Sequence, residues 1–244
     1  MGSISEVILD LIYPRRCPVC EDIVLPKGNK ICPGCRGKLI YIKEPRCKKC
    51  SKAIVDEEQE YCFDCSKRKL SYEKGYSLFE YDATMKQSMS QYKFHSKKEY
   101  ADFYIEEILL NYGTRIKELG LDAFIPVPIH SEKYKQRGFN QAELLAIGIA
   151  KSLEIPVYSN VLIRNKNTTP QKLLDDKERV KNLKNAFAVS DEFMNSKENS
   201  NLKRVMLIDD IYTTGATIDV CAKVLKSIGI NEVYFMTVCI GKGY

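Results

Sequence analysis

Val205-Met206-Leu207-Ile208-Asp209-Asp210-Ile211-Tyr212-Thr213-Thr214-Gly215-Ala216-Thr217 is the stretch that decides how this chain is read. Its first four residues are apolar, a length that suits a strand buried on both faces. Two adjacent carboxylates, Asp209 and Asp210, stand where that strand is expected to end. A run of small residues follows, and a helical pattern is expected from Ile218 to Ile228. Strand, small-residue loop and helix together aim backbone N–H groups and a helix N-terminus at an anion. The threonine hydroxyls add donors. Two carboxylates beside such a cradle would repel a bare phosphate. They suit hydroxyl groups carried by the phosphate, or a cation held beside it. A sugar phosphate with a vicinal diol satisfies both halves.

The stretch resembles the phosphoribosyl pyrophosphate (PRPP) motif of type I phosphoribosyltransferases. The resemblance implies that Asp209 and Asp210 hold the ribose hydroxyls and that Thr213, Thr214, Gly215, Ala216 and Thr217 hold the 5′-phosphate. Tyr212 departs from the family pattern, where an aliphatic residue is commoner. Two other readings compete. An apolar run followed by Asp-Asp also looks like a Walker B strand, but no G-x-x-x-x-G-K-[ST] occurs in the chain. The second is an ordinary strand-to-helix turn.

Eight of the 10 cysteines form four C-x-x-C pairs, Cys17/Cys20, Cys32/Cys35, Cys47/Cys50 and Cys62/Cys65, repeating every 15 residues. Each pair can offer two thiolates to one metal from a tight turn, so the count predicts two tetrahedral zinc sites. The pattern leaves sequential or interleaved pairing open. Sequential sites, Cys17 to Cys35 and Cys47 to Cys65, are favoured as two stacked zinc ribbons. Four thiolates leave zinc no open position, so the expected role is structural. About 70 residues with few large apolar side chains also need the metal to fold. A redox C-x-x-C would be single and tied to a βαβ pattern. Cys221 and Cys239 lack close cysteine partners in sequence and are expected in the core.

The 244 residues are 44% hydrophobic, enough for a packed core. No apolar run approaches the ~18 residues of a membrane span. Residues 1–13 lack a basic leader and contain Glu6 and Asp10, so no signal peptide is expected. Ile4, Ile8, Leu11 and Ile12 fall on one face of an expected amphipathic helix. The expected compartment is the cytoplasm, where reducing conditions disfavour disulfides. The formal charge is +6 with neutral cysteines. Two zinc–tetrathiolate centres at about −2 each bring it to about +2. Grip on DNA through charge alone is therefore not supported. Basic clusters such as Arg46/Lys48/Lys49 and Lys67-Arg68-Lys69 suit either thiolate compensation or nucleic-acid contact.

Beyond a polar linker ending at Tyr72, strands are expected at Tyr76–Tyr81, Asp122–Pro128, Pro156–Ile163, Ala186–Val189, Arg204–Ile208 and Glu232–Val238. Helices are expected at Met85–Phe94 and from Phe103 to Tyr112, the latter stopped by Gly113. Ile129 to Lys133 is expected as loop, and Asn140 as the N-cap of a helix through Leu145. Strand, polar loop, Arg137-Gly138 and capped helix form a second potential anion site, with His130, Lys133, Lys135 and Arg137 able to face it. The other reading of His130 is a loop histidine bonded to backbone.

The block Arg137-Gly138-Phe139-Asn140-Gln141, the preceding Pro126-Val127-Pro128, and Thr169-Pro170-Gln171 with Glu178-Arg179 and Asn182 are together similar to the ComF family. The resemblance spans nearly the whole chain, Lys93-Phe94-His95 included, and is loosest at Asp191–Asn201, expected as a polar surface insertion. It implies an α/β fold with a mostly parallel sheet of the type I phosphoribosyltransferase kind behind an N-terminal double zinc ribbon. The expected divisions are residues 1–70 and 71–244. It also implies a role in DNA uptake and transformation, with PRPP and Mg²⁺ as ligands beside two structural zinc ions. The expected partners are single-stranded DNA or a DNA-uptake helicase. Residues 164–185 resemble the lid that closes over PRPP, with Lys172 and Arg179 as catalytic candidates beside Asp209 and Asp210. The residues leave three readings open: a transferase, a DNA- or helicase-binding factor, and a PRPP sensor without turnover.

Overall fold

The computed structural model describes residues 13–95, 97–164, 186–196 and 201–242. The N-terminal helix expected at 1–13 falls almost wholly outside them, as does the lid candidate beyond Arg164, with Lys172 and Arg179. Among the described residues, no helix is long and apolar enough to cross a membrane.

A parallel four-stranded sheet carries the larger part of the chain, in the order β1-β6-β5-β2, as the α/β expectation requires. These strands are Gly75–Glu80 (β1), Ala123–Pro126 (β2), Arg204–Tyr212 (β5) and Glu232–Ile240 (β6). Leu162–Arg164 (β3) and Phe187–Val189 (β4) pair antiparallel in a separate ribbon. The expected strand from Pro156 to Ile163 is thus mostly absent. Val157 makes one parallel bridge beside Phe124, and regular pairing resumes only at Leu162.

Side chains on β5 alternate between two apolar layers, the period of two inherent in a strand. Met206 and Ile208 face one layer, and Val205 and Leu207 the other. All four are buried, and each such side chain contributes roughly 1.5–3 kcal/mol. The first layer is covered by Ala83–Phe94 (α3), Tyr100–Glu118 (α4) and Gln141–Leu153 (α6). The second is covered by Ala216–Ser227 (α8). Gly113 does not stop α4, which continues to Glu118. Buried Ile108, Tyr112 and Ile116 hold its packed face, and their burial exceeds the roughly 1 kcal/mol cost of a helical glycine. Ile129–Lys133 is not all loop, because a short helix, Ser131–Arg137 (α5), begins within it. In the stretch expected as a surface insertion, Asp191–Met194 (α7) is helical. Phe193 is 1% exposed and packs beside Tyr158.

The cysteine-rich quarter contains two short helices, Pro33–Arg36 (α1) and Phe63–Lys67 (α2), each starting after the first cysteine of a pair. Its two halves rest on opposite layers. Val24, Ile31 and Leu39 join the first layer, and Ile42, Ile54 and Leu70 the second. Ion pairs tie the first half to α4: Arg15–Asp102 at 2.6 Å, Lys30–Glu106 at 2.6 Å, and Arg36 with the buried Glu107. Cys221 and Cys239 lie in the core.

Candidate functional site

The thiols group sequentially, Cys17/Cys20/Cys32/Cys35 and Cys47/Cys50/Cys62/Cys65, with the sulfurs of each set within 4.8 Å of one another. Sulfurs about 2.3 Å from a tetrahedral zinc stand roughly 3.8 Å apart. Cys20–Cys32 at 3.9 Å and Cys50–Cys62 at 3.6 Å match that spacing. Within the second set the thiols shift one another's protonation in opposite directions. Contacts from Cys50, Cys62 and Cys65 pull Cys47 far below the usual thiol range, while contact with Cys47 pushes Cys50 and Cys65 far above it. Four thiolates share so small a volume only around a metal. The residues fit structural zinc, which supplies a closed tetrahedral crosslink when bound.

The acid pair stands elsewhere. Strand β5 extends past the expected end at Ile208 and carries both acids close to its own end at Tyr212. Asp209 pairs in register with Thr237 of β6, so strand pairing continues alongside the acids. Asp210 is 8% exposed and Asp209 half-buried. Burial, and then the neighbouring Asp210 charge, push Asp209 up to about 7, against the pull of Lys93 and Arg164. The Asp209 carboxylate also accepts the Asp210 N–H at 2.9 Å.

The loop after β5 turns at Gly215, whose φ of 76° lies in the left-handed region. A Cβ there would stand 2.1 Å from the Tyr212 hydroxyl, so glycine is required on two counts. Helix α8 starts directly after Gly215, two residues before the expected Ile218, without a side-chain cap. Its first amides are therefore left to an external acceptor. Thr213 is exposed, and Thr214 and Thr217 are half-buried.

Four cations converge on the acids. Lys93, at the end of α3, stands 2.8 Å from Asp210. Arg137 closes α5, and its guanidinium lies over the Phe94 ring at 4.8 Å. Lys133 and Arg137 are held below their usual range first by burial, and Arg164 likewise. The charges of Arg164, Arg137 and Lys93 lower Lys133 further. Cations that depress one another around two carboxylates suit a polyanion. Two buried donors there, Arg137 Nε and Gln141 Nε2, have no hydrogen-bond partner among the described residues.

His130 caps α5, and its Nδ1 accepts the Glu132 N–H at 3.3 Å. That is the backbone-bonded role weighed against an anion contact. Asn140 caps α6 as expected, accepting from Ala142 N–H and donating to the Val127 carbonyl. Lys93 and Gln141 are site residues to which sequence reasoning gives no role. Both lie within motif blocks, Lys93-Phe94-His95 and Arg137 to Gln141, but no spacing rule ties a helix end to an acid so distant in sequence.

Residues 8–66 match the family model of the double zinc ribbon domain. A competence protein F from Haemophilus influenzae is 39% identical over 46% of this chain and 47% of that protein. The chain is similar to ComF competence proteins. A second relative, competence protein ComFC from Bacillus subtilis, is 29% identical over 63% of this chain and 58% of its own length. The ComF resemblance thus rests on aligned relatives as well as on motifs, although the chain spans only about half the length of the first. Among solved structures, a purine phosphoribosyltransferase from Pyrococcus horikoshii covers 57% of this chain and 74% of that one, at 16% identity and a TM-score of 0.35. A likeness of that size bears on neither ligand nor reaction.

Proposed function

We propose that this chain binds PRPP with Mg²⁺ at Asp209 and Asp210 and works in DNA uptake as a ComF-type competence protein. One observation carries the ligand: an acid pair near a strand end, Asp210 buried and Asp209 half-buried, beside an uncapped helix N-terminus and ringed by Lys93, Lys133, Arg137 and Arg164. The carboxylates accept hydrogen bonds from the ribose diol, and the loop Thr213 to Thr217 takes the 5′-phosphate. The cations take the pyrophosphate, with His130 at the margin of that group. Mg²⁺ neutralises pyrophosphate charge when bound. In phosphoribosyl transfer the bond from C1′ to pyrophosphate breaks, oxocarbenium character develops at C1′, and an acceptor attacks. The protein's part is positioning and charge stabilisation. Lys172 and Arg179 are the candidates to cover the reacting centre.

The cellular role follows the relatives, which are named for competence and DNA utilization. The zinc ribbons are then the surface for single-stranded DNA or an uptake helicase, and the compartment is the cytoplasm. The test is incubation of pure protein with PRPP, Mg²⁺ and candidate acceptors, DNA ends included, while pyrophosphate release is followed. Release supports transfer. Tight PRPP binding without release makes PRPP a regulatory ligand, and absence of binding removes the proposal.

A further inference from the structure

The two ribbons are not equivalent in what they touch. The first is tied to α4 by Arg15, Lys30 and Arg36, and to α3 by Glu21, which accepts from Gln87. The chain leaving the second ribbon, residues 68–72, packs instead against the loop before α8 and its first turn. Arg68, three residues beyond Cys65, donates from Nη1 to the Thr214 carbonyl at 2.8 Å. The Ser71 N–H donates to Asp219 in the first turn of α8 at 2.7 Å. The Tyr72 hydroxyl meets the Tyr212 hydroxyl at 2.8 Å. Tyr72 is fully buried in the same apolar layer as Cys47, Cys50 and Cys62. Tyr212 in turn stacks on Phe235 with centroids 4.9 Å apart, and its hydroxyl fills the space beside Gly215. The aromatic departure at Tyr212 therefore has a structural reason, as the loop's half of a clasp.

We infer that the second ribbon positions the phosphate loop. Arg68 and Tyr72 are positioning residues, and zinc in the Cys47–Cys65 site sets the loop's ligand-ready shape. The ligand part of this inference rests on the PRPP reading above, but the coupling does not. Residues 68–72 are short and irregular, and they stay in register with the loop only while α2 is fixed at its start by Cys62 and Cys65. Among the described residues the first site has no such route, because the contacts of its ribbon run to α3 and α4, and the chain leaving it pairs with β1.

The test uses the full-length, zinc-loaded chain. Arg68→Gln with Tyr72→Phe breaks the clasp without touching a cysteine, and Arg15→Gln is the matching change on the first ribbon. Zinc content, hydrogen exchange at residues 213–218 and PRPP·Mg²⁺ affinity are measured for each. The clasp variant should keep two zinc ions, exchange faster at the loop by about tenfold, and bind PRPP about tenfold more weakly, within the span usual for coupled sites. Arg15→Gln should change neither loop exchange nor affinity. Unchanged loop exchange in a clasp variant holding two zinc ions would overturn the inference, as would equal effects from the two ribbons. If the unaltered chain binds no PRPP, the ligand reading falls and the exchange result alone decides the coupling.

Discussion

Lys93 Nζ stands 2.8 Å from Asp210 Oδ2, joining the end of α3 to the end of β5. Both side chains are largely buried, 19% and 12% exposed, so neither charge has much water to turn to. Breaking such a pair leaves Asp210 only the through-space charges of Lys133 and Arg137.

Lys93→Met should therefore destabilise the chain by about 2–3 kcal/mol, below the fully buried range because some solvent reaches the pair. Equilibrium denaturation measures this. A loss under about 0.5 kcal/mol would mean that the pair is not formed in solution.

Replacing both Asp209 and Asp210 by Asn keeps shape and removes charge. The double change should weaken PRPP binding by about 2–5 kcal/mol through loss of charge-assisted hydrogen bonds. Calorimetry with and without Mg²⁺ is the measurement, and unchanged affinity would remove this loop from the site.

Asp209 has its pKa raised to about 7, so between the usual carboxyl range and neutrality the folded chain holds a proton that the unfolded chain has lost. Its contribution to stability thus falls as pH rises through that window. Ligand binding runs the other way. A carboxylate is needed to accept ribose hydroxyls, so PRPP affinity should rise with pH and level off above about 7, with proton release on binding below that point. Calorimetry in buffers of different ionisation enthalpy counts the protons, and Asp209→Asn should abolish this part of the dependence.

Metal analysis of protein purified without chelator should give two zinc ions per chain. Cys20→Ser should lower affinity at the first site and Cys65→Ser at the second, each leaving the other filled. A stoichiometry near one would leave one of the thiol sets without a metal.

In a naturally competent host, a cysteine-ligand mutant and the Asp209/Asp210 mutant should both lose transformation while growth without nucleobases stays normal. Nucleobase auxotrophy with normal transformation would instead make the protein a metabolic transferase.

Much of this protein is legible in its sequence alone. A cysteine period of 15 specifies paired knuckles, because a knuckle is local and its ligands lie three residues apart. The run from Val205 to Thr217 specifies strand, acid pair, small-residue loop and helix, because an apolar run, small residues and a helical pattern are all local signals, although the strand continues past Ile208 to Tyr212. The loop expected at Ile129–Lys133 and the helix stop expected at Gly113 fail for different reasons. At Gly113 the packed face of α4 overrides a local helix breaker, whereas α5 buries no residue and is bounded by local caps, the His130 side chain at its start and left-handed Gly138 at its end. What only the tertiary structure decides is which distant side chains meet. Lys93 reaches Asp210, Arg68 reaches Thr214, and Tyr72 reaches Tyr212, because a parallel sheet brings together segments far apart in sequence. Charge and burial at the site arise from those meetings. No window of sequence contains both partners, so the motif names the chemistry of the site, while its electrostatics are assembled by the fold.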